Sequence, residues 1–395
     1  MGNKGFFSSV QQSRLGFAVP RCQACGLSRG CKSPKMKPTG EGKRKVLIVA
    51  EAPGADEDKH GTQLIGPAGQ LLRDVMEDIG WDLDEDCWKT NALCCRPPDN
   101  RPPTKKEIEA CRPCLMKAIK ELNPRVVVLM GLSAVSSLLG PIWKKDMGAM
   151  GRWVGWKIPL RELNLYACPV WHPSYLLRQN NEVLNLWFKR YLESALKIDQ
   201  RPMKPWDFNQ VIFREKDHRK AAKIIRLFCS CEKIAFDYET DRLKPDADDS
   251  QIISCAISNG EHTVAYPWVG EAIIETSRLL RSPIPKIAAN IKFEERWTRK
   301  VLGHGVRNWK RDTMQAAHVL NNEPGITSVK FQAFVRLGVG DYDSHIVPYF
   351  KSASSNAPNR IKELNLSDLL LYNGMDALLE FKIAEKQMKE MGDKI

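Results

Sequence analysis

No stretch of this chain is apolar for the roughly 20 residues that a helix needs to cross a bilayer. The sequence therefore reads as one with no membrane span. A secretory signal is lacking too, since the apolar part of MGNKGFFSSV is far too short. Met-Gly-Asn-Lys with Ser8 is likewise a poor match to a myristoylation start. There is no internal repeat, which excludes a solenoid or propeller. Acidic residues are in short supply. The chain has 47 Asp and Glu against 60 Lys and Arg, a formal charge of +13 and a pI of about 9.1. A balance of that sign favours a polyanionic partner, and nucleic acid is the commonest. Cysteine, by contrast, is plentiful at 12 residues. Without a secretory signal these read as free thiols or metal ligands in a reducing, cytoplasmic compartment, not as disulfides.

A length of 395 residues suggests two to three domains, and 43% apolar content is ordinary for globular cores. Two α/β blocks are visible. The first follows the basic, Gly/Pro-rich lead SPKMKPTGEGKRK and has strand candidates VLIVA, RVVVLMG and LYACPVW. Helical patterns lie at PAGQLLRDVMEDIG, SAVSSLLG and VLNLWFKRYLESALK. Strands alternating with helices argue for a parallel, layered sheet. IDQRPMKPWDFNQ, at 198–210, reads as a linker. The second block opens with antiparallel signals (KIAFDY, QIISCAIS, EHTVAYPW) and turns helical towards its end. SASSNAPNR at 352–360 reads as an exposed loop.

The stretch IAFDYETD ends an apolar run in two carboxylates, Asp237 and Glu239. Strand side chains alternate faces, so these two share a side. Paired anions repel unless a cation sits between them, and hard cations such as Mg2+ take carboxylate oxygens. Downstream, KIAANIKFEERW places Asn290 and Glu294 at the start of a helix, and RDTMQAAHVLNN places Asp312 at another helix start, as a cap. In LLLYNGMDALLEFKIAEKQ, Tyr372 and Asp376 are four apart, on one helix face.

From about Val211 onward this order of motifs resembles the proofreading 3′-to-5′ exonuclease domain of family A DNA polymerases, in the DEDD superfamily with tyrosine in its last motif. The resemblance implies a ribonuclease H-like fold with a mixed sheet. It also implies that Asp237, Glu239, Glu294 and Asp376 hold two Mg2+ (or Mn2+) ions, that Tyr372 orients the attacking water and that Asn290 contacts substrate. The family usually has Asp where this chain has Glu294.

Cys22-Gln-Ala-Cys25 is a two-thiol clip, and Cys95 and Cys111 recur at a 16-residue spacing with Cys94 and Cys114 beside them. Four thiolates from two places can hold zinc or an iron–sulfur cluster, and spacing alone favours zinc. The words around them are AEAPGADEDKHGTQLIGPAGQLL, TNALCCRPPDNRPPTKKEIEAC and WHPSYLLR. From about Arg21 to Leu196 these resemble a family 4 uracil-DNA glycosylase. That likeness implies a three-layer α/β/α parallel sheet and a [4Fe–4S] cluster on Cys22, Cys25, Cys95 and Cys111, with Cys31, Cys94 and Cys114 as bystanders. It implies that Glu51 positions water, Asn91 reads the uracil edge and His172 donates to the developing oxyanion. Gly66, Pro67 and Gly69 would let backbone approach DNA phosphate ahead of a helix N-terminus. Leu64 stands where the family has a Phe that stacks on uracil, and Ala50 where it has Gly.

Together these readings predict a glycosylase-like domain over 1–200 and an exonuclease domain over 208–395. The whole resembles the N-terminal part of a phage DNA polymerase. The expected function is metal-dependent 3′-to-5′ removal of nucleotides from single-stranded DNA or 3′ ends, joined to uracil excision. The alternative makes the first domain a non-catalytic DNA- or uracil-binding module that recruits the nuclease or a polymerase. No polymerase palm follows the last motif, so a separate polymerase partner or a split gene is expected.

Overall fold

Val46–Ala50 (β1) is buried along its whole length, as a central strand covered on both faces must be. It anchors the first sheet in the computed structural model, which describes residues 21–392. The Met1–Val10 stretch read above for a signal or acylation lies outside the described residues. The chain divides into two compact units between Lys204 and Pro205.

In the first unit β1 is joined by β2 (Cys87–Asn91), β3 (Val126–Met130), β4 (Ile158–Leu160) and β5 (Leu165–Val170), in the order β2-β1-β3-β5-β4. The first four in that order run parallel, and β4 is an antiparallel edge on β5. Alternate strand residues face opposite ways. Val46, Ile48, Val128 and Val170 pack on Leu72 and Met76 of the helix Pro67–Glu77 and on Phe188 and Leu192 of the helix Glu182–Leu196. The helices Lys105–Leu122 and Leu132–Trp143 pack on each other, and the latter lies against β1 and β3. The result is the expected α/β/α layering.

Two strands escaped the sequence reading. β2 carries a buried lysine, Lys89, which is ion-paired to Asp84, so its polar composition hides a buried strand. β4 has only three residues, Ile-Pro-Leu, too few for a period to show.

The second unit holds a mixed six-stranded sheet in the order β11-β10-β7-β8-β9-β6. Its strands are β6 (Ile212–Arg214), β7 (Ile234–Thr240), β8 (Ile252–Ser258), β9 (Thr263–Pro267), β10 (Lys286–Ala288) and β11 (Trp309–Asp312). β7, β8 and β9 pair antiparallel, whereas β10 and β11 extend the sheet in parallel from β7. The helix Leu366–Met391 crosses this sheet with most of its residues buried. Its Gly374 has a packing reason: a Cβ there would lie 2.4 Å from Ile212 Cγ2. The short strands β6, β10 and β11 were not legible in sequence. Among the described residues no helix is long and apolar enough to cross a membrane.

Candidate functional site

Strand alternation puts Asp237 and Glu239 on one side of β7, and the helix Leu366–Met391 lowers Asp376 onto them. Carboxylate oxygens of these three lie within 4.8 Å of one another. Such crowding is costly in the absence of a cation. Burial, then the charge of Asp376, pushes Asp237 up to about 8. Burial and the neighbouring carboxylates hold Glu239 well above the usual carboxylate range too.

Glu294 stands outside that tight trio. It sits in the first turn of the helix Ile291–Leu302, 2% exposed, and its Oε2 has no hydrogen-bond partner among the described residues. Burial, then Asp237, raises its pKa as well. The four residues grouped by sequence therefore form three and one.

Several supporting residues were not foreseen. Asn373 Nδ2 donates to Asp237 Oδ2 at 2.7 Å, and its own Oδ1 accepts from Ser254 Oγ at 2.9 Å. Lys330, from the helix Val329–Leu337, places Nζ 2.6 Å from Asp376 Oδ2, and Tyr342 donates to Asp376 Oδ1. Burial works against the Lys330 charge, but Asp376, Glu239 and Asp237 outweigh it and raise its pKa. Asn373 had a signal, because it neighbours Tyr372 on the motif helix. Lys330 and Tyr342 lie between motifs, where spacing says nothing.

Tyr372 is buried, with its ring 5.5 Å from that of Phe350 and 4.8 Å from Lys330 Nζ. Asp312 is a cap, as expected. It accepts from Met314 and Gln315 N–H and also from the N–H groups of Asn290 and Ile291. Asn290 is exposed in the left-handed region at φ 59°. One lysine cannot neutralise all the charge that these crowded carboxylates carry once ionised. An all-oxygen donor set with an orphaned buried oxygen suits divalent cations such as Mg2+ or Mn2+.

The cysteines form a second centre. Cys22, Cys25, Cys95 and Cys111 line one small cavity, and Cys94 and Cys114 line it with them. The Sγ atoms of Cys94, Cys111 and Cys114 lie within 4.8 Å of one another, and Cys31 packs in the same apolar cluster as Cys95. Cys31, Cys94 and Cys114, which fall outside the expected ligand set, thus lie close to it in the same thiol-rich corner. Backbone N–H groups of Lys35 and Cys94 donate to the sulfurs of Cys95 and Cys111, at 3.3 and 3.2 Å. Such bonds favour thiolates and are a normal second shell for a cluster. The donor set therefore fits an iron–sulfur cluster.

The third constellation lies at the carboxyl ends of the parallel strands, where open α/β sheets bind ligands. Glu51 follows β1, Asn91 ends β2 and His172 follows β5. Ser133 Oγ donates to Glu51 Oε2 at 2.7 Å. Asn91 is 3% exposed, and its Nδ2 has no partner among the described residues. His172 caps the helix Pro173–Gln179, with Nδ1 accepting from Ser174 N–H at 3.2 Å. A backbone N–H can only donate, so Nδ1 is unprotonated and the ring proton sits on Nε2. Burial, then Arg178, with Glu57 opposing, lowers the His172 pKa to about 4. The imidazole is therefore a neutral donor at physiological pH.

The Gly66 loop differs from a free phosphate cradle. The N–H groups of Ile65 and Gly66 both donate to Glu57 Oε1, at 3.0 and 2.9 Å. Glu57 Oε2 also accepts from Gly54 N–H, so one side chain that sequence reading missed ties two loops together. Gly69 serves an internal contact, because a Cβ there would meet the Leu64 carbonyl oxygen at 1.9 Å. Pro67 starts the helix behind the loop and is exposed. Leu64 itself is 5% exposed and packed in the first core, with φ 57°.

Comparison with known proteins gives one family match in each unit. The pattern of the uracil DNA glycosylase superfamily matches residues 38–197, and that of a 3'-5' exonuclease family matches residues 214–392. The type-4 uracil-DNA glycosylase of Pyrobaculum aerophilum is 37% identical over 166 residues, which is 41% of this chain and 82% of that protein. Its counterpart in Thermotoga maritima is 33% identical over 182 residues, 45% of this chain and 88% of that protein. A DNA polymerase of Bacillus phage SP01 is 32% identical over 100 residues, 25% of this chain and 11% of the polymerase.

Proposed function

The chain belongs, through its first unit, to the type-4 uracil-DNA glycosylases, and from that premise we propose how its own residues divide the work on DNA. The protein is a DNA-processing hydrolase that joins a uracil-DNA glycosylase domain to a 3′-to-5′ exonuclease domain.

In the first unit, Asn91 offers an unpartnered buried amide to the edge of a flipped uracil. His172, neutral and protonated on Nε2, donates to the uracil oxygen that gains charge as the glycosidic bond breaks. Glu51, held by Ser133, positions the water that adds to the sugar carbon. Leu64 occupies the stacking position with less surface than an aromatic ring. Cys22, Cys25, Cys95 and Cys111 would hold the [4Fe–4S] cluster. Bound there, that cluster couples metal ligation to folding of the surrounding segments.

In the second unit, Asp237, Glu239, Glu294 and Asp376 would hold the divalent ions. Bound there, such ions activate water and stabilise the leaving oxygen. Tyr372 orients the attacking water, and Asn373 fixes the rotamer of Asp237. Exposed Asn290 is placed to meet the strand.

The observation that carries the reading is the orphaned Asn91 amide at the strand ends that also carry Glu51 and His172. A purely non-catalytic binding module is not favoured, because such a module has no use for Glu51 and a neutral donor. A separate DNA polymerase partner and action in the cytoplasm complete the proposal.

One incubation tests both halves. End-labelled single-stranded DNA with one uracil is treated with and without Mg2+, then with alkali. Ladder shortening only with Mg2+ reports the exonuclease, and an alkali-dependent break at uracil reports the glycosylase. Absence of both would refute the proposal.

A further inference from the structure

The helix Leu366–Met391 carries one more buried carboxylate than the motif accounts for. Glu380 is 2% exposed, and among the described residues its Oε2 has no hydrogen-bond partner. It lies four residues beyond Asp376 and seven beyond Asn373, spacings that keep all three on one helix face. Asn373 on that face bonds to Asp237, and Asp376 belongs to the tight carboxylate trio. The next residue, Phe381, packs with Ala235 and Ile287, so this turn of the helix lies over β7 and β10. β10 leads directly to the helix that bears Glu294. The charges that act on Glu380 are those of Asp237, Glu294 and Asp376, with Lys330 opposing.

Lys330 and Tyr342 both engage Asp376, on the side of the trio. Among the described residues no such donor reaches the unpartnered oxygens of Glu294 or Glu380. A buried carboxylate oxygen without a donor is costly. Two of them whose charges both act against that of Asp237 call for a cation.

Resting on the exonuclease reading above, we propose that Glu380 is a fifth ligand carboxylate, which with Asp237 and Glu294 forms the seat of the second divalent ion. Asp237, Glu239 and Asp376 form the seat of the first, so Asp237 is shared. The longer reach of Glu294 and the added Glu380 are then parts of one seat.

The test is Mn2+ binding to the full chain, followed by electron paramagnetic resonance and titration calorimetry, with Asp237→Ala as the baseline for unrelated sites. Wild type is expected to bind two Mn2+ above that baseline. Glu380→Gln keeps size and removes charge. It should retain the tighter ion and weaken the second by about tenfold or more, a loss seen even for outer partners of a metal. Its metal-free Tm should equal or exceed that of wild type, because a buried repulsion is gone. Glu380→Asp, which keeps the charge on a shorter arm, should fall between. Unchanged binding of both ions by Glu380→Gln and Glu380→Asp overturns the inference alone. A lower metal-free Tm with both ions retained also overturns it, and marks Glu380 as structural. Wild type at the Asp237→Ala baseline overturns the exonuclease reading itself.

Discussion

Asn373 Nδ2 lies 2.7 Å from Asp237 Oδ2 and 3.2 Å from the Asp237 carbonyl, so one amide clamps both side chain and backbone of the central carboxylate. Ser254 completes the chain from the other side, at 2.9 Å from Asn373 Oδ1. Asn373 and Ser254 are fully buried and Asp237 partly so, and a satisfied polar network there holds a single geometry. Asp237 is thereby fixed against the crowding of Glu239 and Asp376.

Asp237→Ala is expected to abolish exonuclease activity. Asn373→Leu, which leaves the carboxylates in place, should lower kcat by about tenfold or more, as loss of an outer-shell partner does. Single-turnover digestion of labelled DNA at saturating Mg2+ checks this. Full activity in Asn373→Leu would mean that Asp237 needs no clamp.

Tyr372→Phe should weaken digestion less than Asp237→Ala, since the carboxylates that hold the ions remain. Its ring is packed against Phe350, so the fold should survive. The measurement is the ratio of kcat values, with Mn2+ affinity as control. A loss as deep as that of Asp237→Ala, with Mn2+ binding intact, would place the phenol among the indispensable groups.

Protein purified without air should be brown. Cys95→Ala should bleach it and lower the Tm of the first unit, because ligation and folding are coupled. Cys94→Ala and Cys114→Ala should stay coloured, although both thiols line the same cavity. Iron and sulfide analysis decides the point. One zinc and no iron would replace the cluster with a structural zinc site.

Uracil excision should be weak, and stronger on single strands than on duplex, because unpairing adds a few kcal/mol that a site without a stacking ring offsets poorly. Leu64→Phe should raise it, since base–aromatic stacking contributes about 1–3 kcal/mol. Leu64 is 5% exposed, and overpacking costs about 1–3 kcal/mol, so Tm is measured alongside. Equal rates on duplex and single strands would show that stacking is supplied elsewhere.

His172 sets a pH dependence. Its folded pKa, about 4, lies below the ordinary 6.5. Between those values the unfolded chain holds a proton that the folded chain does not. Stability from this group is therefore complete above about pH 6.5 and is lost as pH falls through 6.5 towards 4. Two outcomes follow. The Tm gap between wild type and His172→Gln should narrow from pH 7 to pH 5, and excision should show no His172-dependent inflection near 6.5. An imidazole NMR titration at 6.5 would contradict both.

Local order in the chain determined much of this. Short apolar runs announced β1, β3, β5, β7, β8 and β9, because a strand covered on both faces is apolar along most of its length. Asp237 with Glu239, and Tyr372 with Asp376, were legible because strand and helix spacings place each pair on one side without any tertiary information. The Cys22–Cys25 clip was visible for the same reason. Only the tertiary structure decided the rest. Lys330 and Tyr342 meet Asp376 across 46 and 34 residues of chain, and no period spans such a distance. Glu51, Asn91 and His172 share one end of the sheet through strand order, which crossovers set and side chains do not. Cys114 joins the thiol corner through the packing of the Lys105–Leu122 helix on the N-terminal clip, and Cys94 lines it from the segment after β2. Glu380 had no place in the sequence motifs; the fold buries it and leaves its Oε2 without a partner among the described residues. Burial and long-range partnering arise from how surfaces meet, and a sequence states only what each surface has to offer.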